Sequence, residues 1–378
     1  MDYRILKKID TDTAIGKRII SFLITEENRK KLSAYLKNRQ RARMLRHEFE
    51  DRASNFKDLI SSSVQHITPV TQPLMLVFDL PPFGGTLLNQ LFDGHSQLHV
   101  HPGKIMLSFD EQKRSIGPIL GTNPVKRPQK WFSVLAQNCI NEHLEEVHRY
   151  LDIVDSSQPM VFIPYLQRRI FLRYMKSAKS CNMRTVCDAY MTSYFGSWLN
   201  YANLYGHDKK FIIGYSKTHA MPINRMKQFF EVYPDGKITF IIRNPINWIR
   251  TTSSHHAKNP LHTQSTINHW LESTEALIWI KEAFNSRVCI IQHMDLTGNT
   301  EAVTRHLSQF LSIKFDRTLL NPTFNGSKAK AIDYADIGED SKAIPLERHG
   351  AALPEALEAN WHQTLNTYEA VMSKSVQF

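Results

Sequence analysis

The sequence predicts an α/β protein whose mainly parallel sheet is flanked by helices on both faces. Two observations carry this. Continuous apolar runs of strand length recur at "LMLVFDL" (74–80), "KFIIGY" (210–215), "KITFII" (237–242) and "RVCIIQ" (287–292), as expected of strands buried on both sides. Helical patterns alternate with them, and that alternation is the signature of parallel strands joined by crossover helices.

The elements follow in order. Residues 1–70 read as a polar, basic helical extension, and "SSSVQHITPVTQP" supplies the Ser, Thr and Pro of a linker, so the main domain is expected over 71–378. After the run at 74–80 come Gly84 and Gly85, then Leu87, Leu88, Leu91 and Phe92 at helical spacing: strand, glycine turn, helix. Pro222 opens a helix with Ile223, Met226, Phe230 and Tyr233 on one face. A long helix carries Ile267, Trp270, Leu271, Thr274 and Ile278, and a last one Leu357, Trp361, Leu365 and Tyr368.

Composition narrows the function classes. With 378 residues and 42% hydrophobic content the chain can bury a full core. No run of about eighteen apolar residues occurs, which argues against a spanning helix. The start lacks a signal peptide's apolar stretch, so a cytoplasmic protein is expected. Cys139, Cys181, Cys187 and Cys289 form no CxxC pair; reduced, packed thiols are expected, and no metal. A net charge of +11 points to anionic partners: nucleic acid, an anionic membrane, a nucleotide or an acidic glycan. Residues 29–52 hold part of that charge on several helical faces, as either a solvated helix or a docking surface for an anionic partner.

Two segments carry chemistry. A glycine turn that leads from a parallel strand into a helix offers backbone N–H groups and the positive end of a dipole to an anion, and Gly84–Gly85 fits that place. Taken alone, such a turn serves mere connection as often as binding. The GxxxxGK[ST] pattern is absent, which disfavours an ordinary ATPase or GTPase. The second segment is "KITFIIRNPINWIRTTSSHH" (237–256): Arg243 sits just past a buried strand, Asn244–Pro245 sets a turn and a helix begins. A guanidinium there can fork onto a phosphate, with the Thr251 hydroxyl turned to the same anion. The competing reading is a surface arginine capping a turn.

Together these segments, about 160 residues apart, resemble the sulfotransferases that use 3′-phosphoadenosine 5′-phosphosulfate (PAPS). "PFGGTLL" (82–88) stands for the family's "PRSGTTLL"-type loop, and "RNPINWIRT" (243–251) for its "RdPxxxxxS". "LFDGHSQLHVHPGK", "SKTHAMP" (216–222), "YPDGKITFIIRNP", "QHMDL" and "NPTFNG" (321–326) follow family segments in the right order, over residues 74–330.

The resemblance implies a P-loop NTPase-like sulfotransferase fold and transfer of a sulfuryl group from PAPS to a hydroxyl acceptor, a carbohydrate or glycan foremost, with a protein side chain or small molecule as alternatives. By position, Pro82, Phe83, Gly84, Gly85, Thr86 and Leu87 would cradle the phosphosulfate. Lys217 would stabilise the leaving group, Arg243 and Thr251 would hold the 3′-phosphate, and Asn325 and Gly326 would lie over the nucleotide. The chain departs from the pattern twice. Phe83 replaces a basic residue, leaving Lys104 or Lys217 to supply the cation. Where some members place a glutamate base, the chain offers His99, His101 and Lys104, and His101 is the candidate base, with His219 next. These departures keep a second reading open: a sulfotransferase-fold protein that binds a nucleotide or sulfated glycan with little or no catalysis. Nucleic-acid binding through the N-terminal arm is a third, for which no aromatic-interleaved motif is found. Acceptor pockets are expected from residues 105–160 and 328–350, while Trp131 and Trp198 read as core and not as sugar platforms.

Overall fold

The fold comes from a computed structural model, which describes residues 37, 41, 61, 64–79, 84–105, 128–133, 160–179, 182–204, 208–217, 223–246, 248, 260–329 and 361–378. The chain divides into two compact units, Met1–Gln65 and His66–Phe378. In the first, Lys37 and Arg41 are helical and exposed, and the rest of the basic run 29–52 lies outside the described residues.

The second unit contains, in order, β1 (Leu74–Asp79), α1 (Gly85–Phe92), β2 (Leu98–Lys104), α2 (Pro164–Ser177), α3 (Met183–Ser197), β3 (Phe211–Lys217), α4 (Ile223–Val232), β4 (Lys237–Ile242), α5 (Pro260–Phe284), β5 (Val288–Gln292), α6 (His293–Gly298), α7 (Thr300–Leu311), a small hairpin β6 (Thr323–Phe324) and β7 (Ser327–Lys328), and α8 (Trp361–Met372). The first five strands form one parallel sheet in the order β2-β3-β1-β4-β5.

Period-two alternation sends side chains to two cores. Leu74, Leu76 and Phe78 of β1 join Phe240 of β4 and the helical residues Tyr190, Phe229 and Trp270 on one face. Met75 and Val77 join Tyr215, Ile241 and Ile291 with Leu88, Leu296 and Leu307 on the other. Burial on both sides explains why the strands read as unbroken apolar runs, each large side chain contributing about 1.5–3 kcal/mol. Ile267, Trp270, Leu271 and Thr274 of α5 are all buried, as their spacing predicts, and Trp131 and Trp198 are core residues at 2% and 1% exposure. Cys187 and Cys289 are free buried thiols; Cys139 and Cys181 lie outside the described residues.

One strand of the five-stranded sheet has no counterpart in the sequence reading. β2, "LHVHPGK", pairs with β3 at the sheet's edge, and its register shifts between Val100 and Lys104. Pro102 and Gly103 fall inside that irregularity, where a missing N–H costs the ladder least. No helix among the described residues is long and apolar enough to cross a membrane.

Candidate active site

Three strands of the sheet end level with one another. Asp79, the last residue of β1, is in register with Lys217, the last of β3, and with Ile241 of β4. The segments that follow these strands therefore leave the sheet side by side at its carboxyl edge, where open parallel sheets bind ligands.

The glycine turn sits there, and each glycine has its own reason. Gly84, the residue before α1, has φ 130° and ψ −46°, a backbone state L side chains rarely adopt. A Cβ on it would also approach Ile241 Cγ2 to 3.0 Å and His293 Cδ2 to 3.2 Å. Gly85 is needed for close approach instead: a Cβ there would lie 2.1 Å from Cε2 of Tyr215. The helix then starts with no side-chain cap and no acidic residue in its first turn. Leu88 N bonds to Gly84 O at 2.9 Å, and the amides of Thr86 and Leu87 before it have no acceptor within the helix. That end of α1 carries the positive pole of its dipole.

Arg243 follows the last residue of β4 and is only 8% exposed. Its neighbour fixes the turn: Asn244 Oδ1 accepts from Ile246 N at 2.9 Å, and Asn244 O accepts from Trp248 N at 2.9 Å. Beside Arg243, across the β4–β5 pair, stands His293. Burial and the Arg243 charge push the His293 imidazole down to about 4, so it is neutral at pH 7. His293 Nε2 is buried without a hydrogen-bond partner, and so is Oδ2 of Asp295, whose carboxyl burial pushes upward. From α8, the Tyr368 hydroxyl pairs with the Asn244 side chain, and burial raises its pKa. His293 and Asp295 belong to "QHMDL", and their signal in the sequence was their place directly after an apolar run, the same signal that singled out Arg243.

Of the residues expected from sequence, Gly84, Gly85, Thr86, Leu87 and Arg243 meet at this edge. Lys217 closes β3 beside Asp79, and Lys104 closes β2. Pro82, Phe83, His219 and Thr251 lie outside the described residues. Three others are placed elsewhere. His101 has its backbone carbonyl held by Asn89 Nδ2 at 2.9 Å, yet its ring, in a residue 2% exposed, packs on Tyr194 at 4.2 Å between centroids, with Nε2 3.5 Å from the Tyr190 hydroxyl. That is the α3 face of the sheet, opposite α1. Asn325 and Gly326 lie at the far end of α1, about 12 Å from the glycine turn by helical rise. There Gly326 N donates to Asp93 Oδ2 at 2.9 Å, and the Asn325 amide is occupied with Ala202 N and Asn200 O. His95 is likewise engaged, its Nε2 facing Lys314 O at 2.9 Å.

A glycine turn at a helix start, beside a buried arginine at the end of the next strand, is an arrangement for a phosphorylated ligand. The sequence model of the sulfotransferase family matches residues 80–317, from the segment before the turn to the one after α7. The chain belongs to the sulfotransferase family.

No curated protein matches the sequence. Among solved structures, the sulfotransferase domain of the Synechococcus PCC 7002 olefin synthase is 18% identical, with 80% of this chain and 96% of that one covered at a TM-score of 0.48. A sulfotransferase from Alicyclobacillus acidocaldarius is 13% identical over 81% and 98%, at 0.40. One from Mycobacterium avium is 11% identical over 86% and 80%, at 0.37. Likenesses this loose carry neither substrate nor mechanism across to this member of the family, whose site stands on its own residues.

Proposed function

We propose that this sulfotransferase takes its sulfuryl group from PAPS and passes it to a hydroxyl acceptor, with carbohydrate as the acceptor class. The main domain, 71–378, would do this, preceded by the basic extension 1–70. The observation that supports PAPS is the pairing of the Gly84–Gly85 turn with buried Arg243 across adjacent strands. The residues fit such a donor. Gly84 holds the turn close against Ile241 and His293 in a backbone state that L side chains rarely adopt, the first-turn amides of α1 can meet an anion, and the buried Arg243 lies at the same edge.

When bound, PAPS supplies the sulfuryl group and leaves as adenosine 3′,5′-bisphosphate. The bond from sulfur to the 5′-phosphate oxygen breaks, a bond from sulfur to the acceptor oxygen forms, and the hydroxyl proton goes to a base. The amides of Thr86 and Leu87 and the Thr86 hydroxyl would hold the 5′ end, and Arg243 would grip the 3′-phosphate. Lys217, at the end of β3, would neutralise charge growing on the departing oxygen, an interaction made mainly in the transition state.

Calorimetry with adenosine 3′,5′-bisphosphate, followed by radiolabel transfer from PAPS to a panel of glycans, tests the proposal. Binding with transfer is the expected result, and absence of binding overturns it. Binding without transfer to any acceptor favours the second reading, a nucleotide-binding member with little catalysis, for which Phe83 in place of a basic residue is the supporting observation. Lys217→Ala is expected to lower turnover far more than donor affinity.

A further inference from the structure

From Asp79 to Phe92 the glycine loop contains neither lysine nor arginine, yet a phosphorylated donor brings negative charge to it. We infer that His293 meets that charge: its imidazole donates Nε2–H to the 5′ anion seated at Gly84, as a further polar arm beside the start of α1, next to Arg243 on the 3′-phosphate. This rests on the proposed use of a phosphoadenosine donor and names a residue that binds it.

Position is the first support. Ile242 and Gln292 are paired in the β4–β5 ladder, so Arg243 and His293, the next residue of each strand, emerge side by side at the carboxyl edge. Proximity is the second. Cδ2, the ring carbon bonded to Nε2, lies 3.2 Å from the place a Cβ on Gly84 would take, so the imidazole packs directly against the turn. The third is an unmet need: His293 is 5% exposed and its Nε2 has no hydrogen-bond partner. A buried polar atom left unpaired is costly, and a ligand that accepts from it removes that cost.

Charge explains why the group is an imidazole. A second fixed cation beside buried Arg243 would be repelled by it before any anion binds, whereas a neutral ring avoids that repulsion and still offers one N–H. Burial and Arg243 together hold the ring in that neutral form. An acceptor nitrogen at Nε2 would face the anion with a lone pair, so the inference specifies the Nε2–H tautomer.

The test is calorimetry with three nucleotides. His293→Phe is expected to weaken adenosine 3′,5′-bisphosphate and adenosine 5′-monophosphate at least tenfold and to leave adenosine 3′-monophosphate within twofold. His293→Gln, which keeps an N–H donor, should recover most of the loss. Unchanged binding of the 5′-phosphorylated ligands, or equal loss for all three, overturns the inference. If wild type binds and Arg243→Ala weakens it while His293→Phe does not, this inference falls and the donor reading stands; wild type that binds none of the three removes both. A measurement on the wild-type protein covers the case in which His293→Phe does not fold. The ¹⁵N resonances of His293 should show a protonated Nε2 that shifts when adenosine 3′,5′-bisphosphate is added, and unperturbed resonances at saturation overturn the proposal.

Discussion

Gly85 lies against the ring of Tyr215 so closely that a Cβ on the glycine would sit 2.1 Å from Cε2 and 2.6 Å from Cδ2. Tyr215 is 4% exposed and belongs to the core, so its ring has nowhere to swing. Gly85→Ala should therefore push α1 off the sheet, lowering stability by about 1–3 kcal/mol and weakening nucleotide binding with it. Thermal melting and calorimetry on one variant check both effects. Gly298, with nothing within 4 Å of its would-be Cβ, is the control at which alanine should cost little.

Arg243→Ala should weaken adenosine 3′,5′-bisphosphate by about 2 kcal/mol, roughly thirtyfold, through loss of a charge-assisted contact. Arg243→Lys should recover only part of this, because an ammonium cannot fork onto two phosphate oxygens. Calorimetric affinity equal to wild type in Arg243→Ala would remove the residue from the donor site.

At the other end of α1, Asp93 Oδ2 accepts from Thr323 Oγ1 at 2.8 Å and from Gly326 N at 2.9 Å. Asp93→Ala removes the acceptor of both part-buried bonds, though Thr323 Oγ1 keeps the Asp93 backbone carbonyl at 2.8 Å, and should cost about 1–2 kcal/mol of stability. Asn325→Ala, which breaks the tie to residues 200 and 202, should also lower the melting temperature while leaving nucleotide affinity within twofold. A tenfold loss of affinity with unchanged melting would return Asn325 to the nucleotide.

Two buried histidines set an acid limit. Burial, aided by the Lys209 charge, pushes His99 down to about 3, and burial with the Arg243 charge pushes His293 to about 4. Both bind protons less readily folded than unfolded, so their stabilisation is complete above the ordinary value of 6.5 and is lost as pH falls from there. Each removes roughly 1.4 kcal/mol per pH unit over that window. Buried Asp93 and Asp188 pull the other way, because burial raises their carboxyls, Asp188 to about 6. His99→Gln cannot titrate, so its stability should fall about 1.4 kcal/mol less per unit than wild type between pH 6.5 and 4. Denaturant titrations at several pH values measure that difference, and equal slopes would show that His99 does not titrate as described.

Strands buried on both faces were legible because burial leaves only apolar residues to choose from, and Arg243 was legible as the first charge after such a run. β2 was not, since an edge strand tolerates His99, His101, Pro102 and Gly103, and nothing in "LHVHPGK" shows that both imidazoles are covered by the aromatic residues of α3. The order of strands, which brings β4 next to β1, depends on long-range packing that no local pattern records. Asn325–Gly326 shows that a motif can also have a local structural reason. With φ values of 52° and 74° between paired β6 and β7, the two residues have the backbone of a tight primed hairpin turn, and Asn-Gly is what such a turn selects. His293 went unnoticed because a histidine after a strand is common, and only its unpaired nitrogen, on a ring packed against Gly84, sets it apart.

Helix α1 is two turns long, with the glycine bend at one tip and Asp93 clamping the β6–β7 turn at the other. It acts as a short rigid strut, so the floor of the binding edge and a hairpin on the opposite rim should loosen together. Amide hydrogen exchange in residues 84–93 and 323–328 should then share one opening free energy, and a nucleotide held at one tip should slow exchange at the other without touching it.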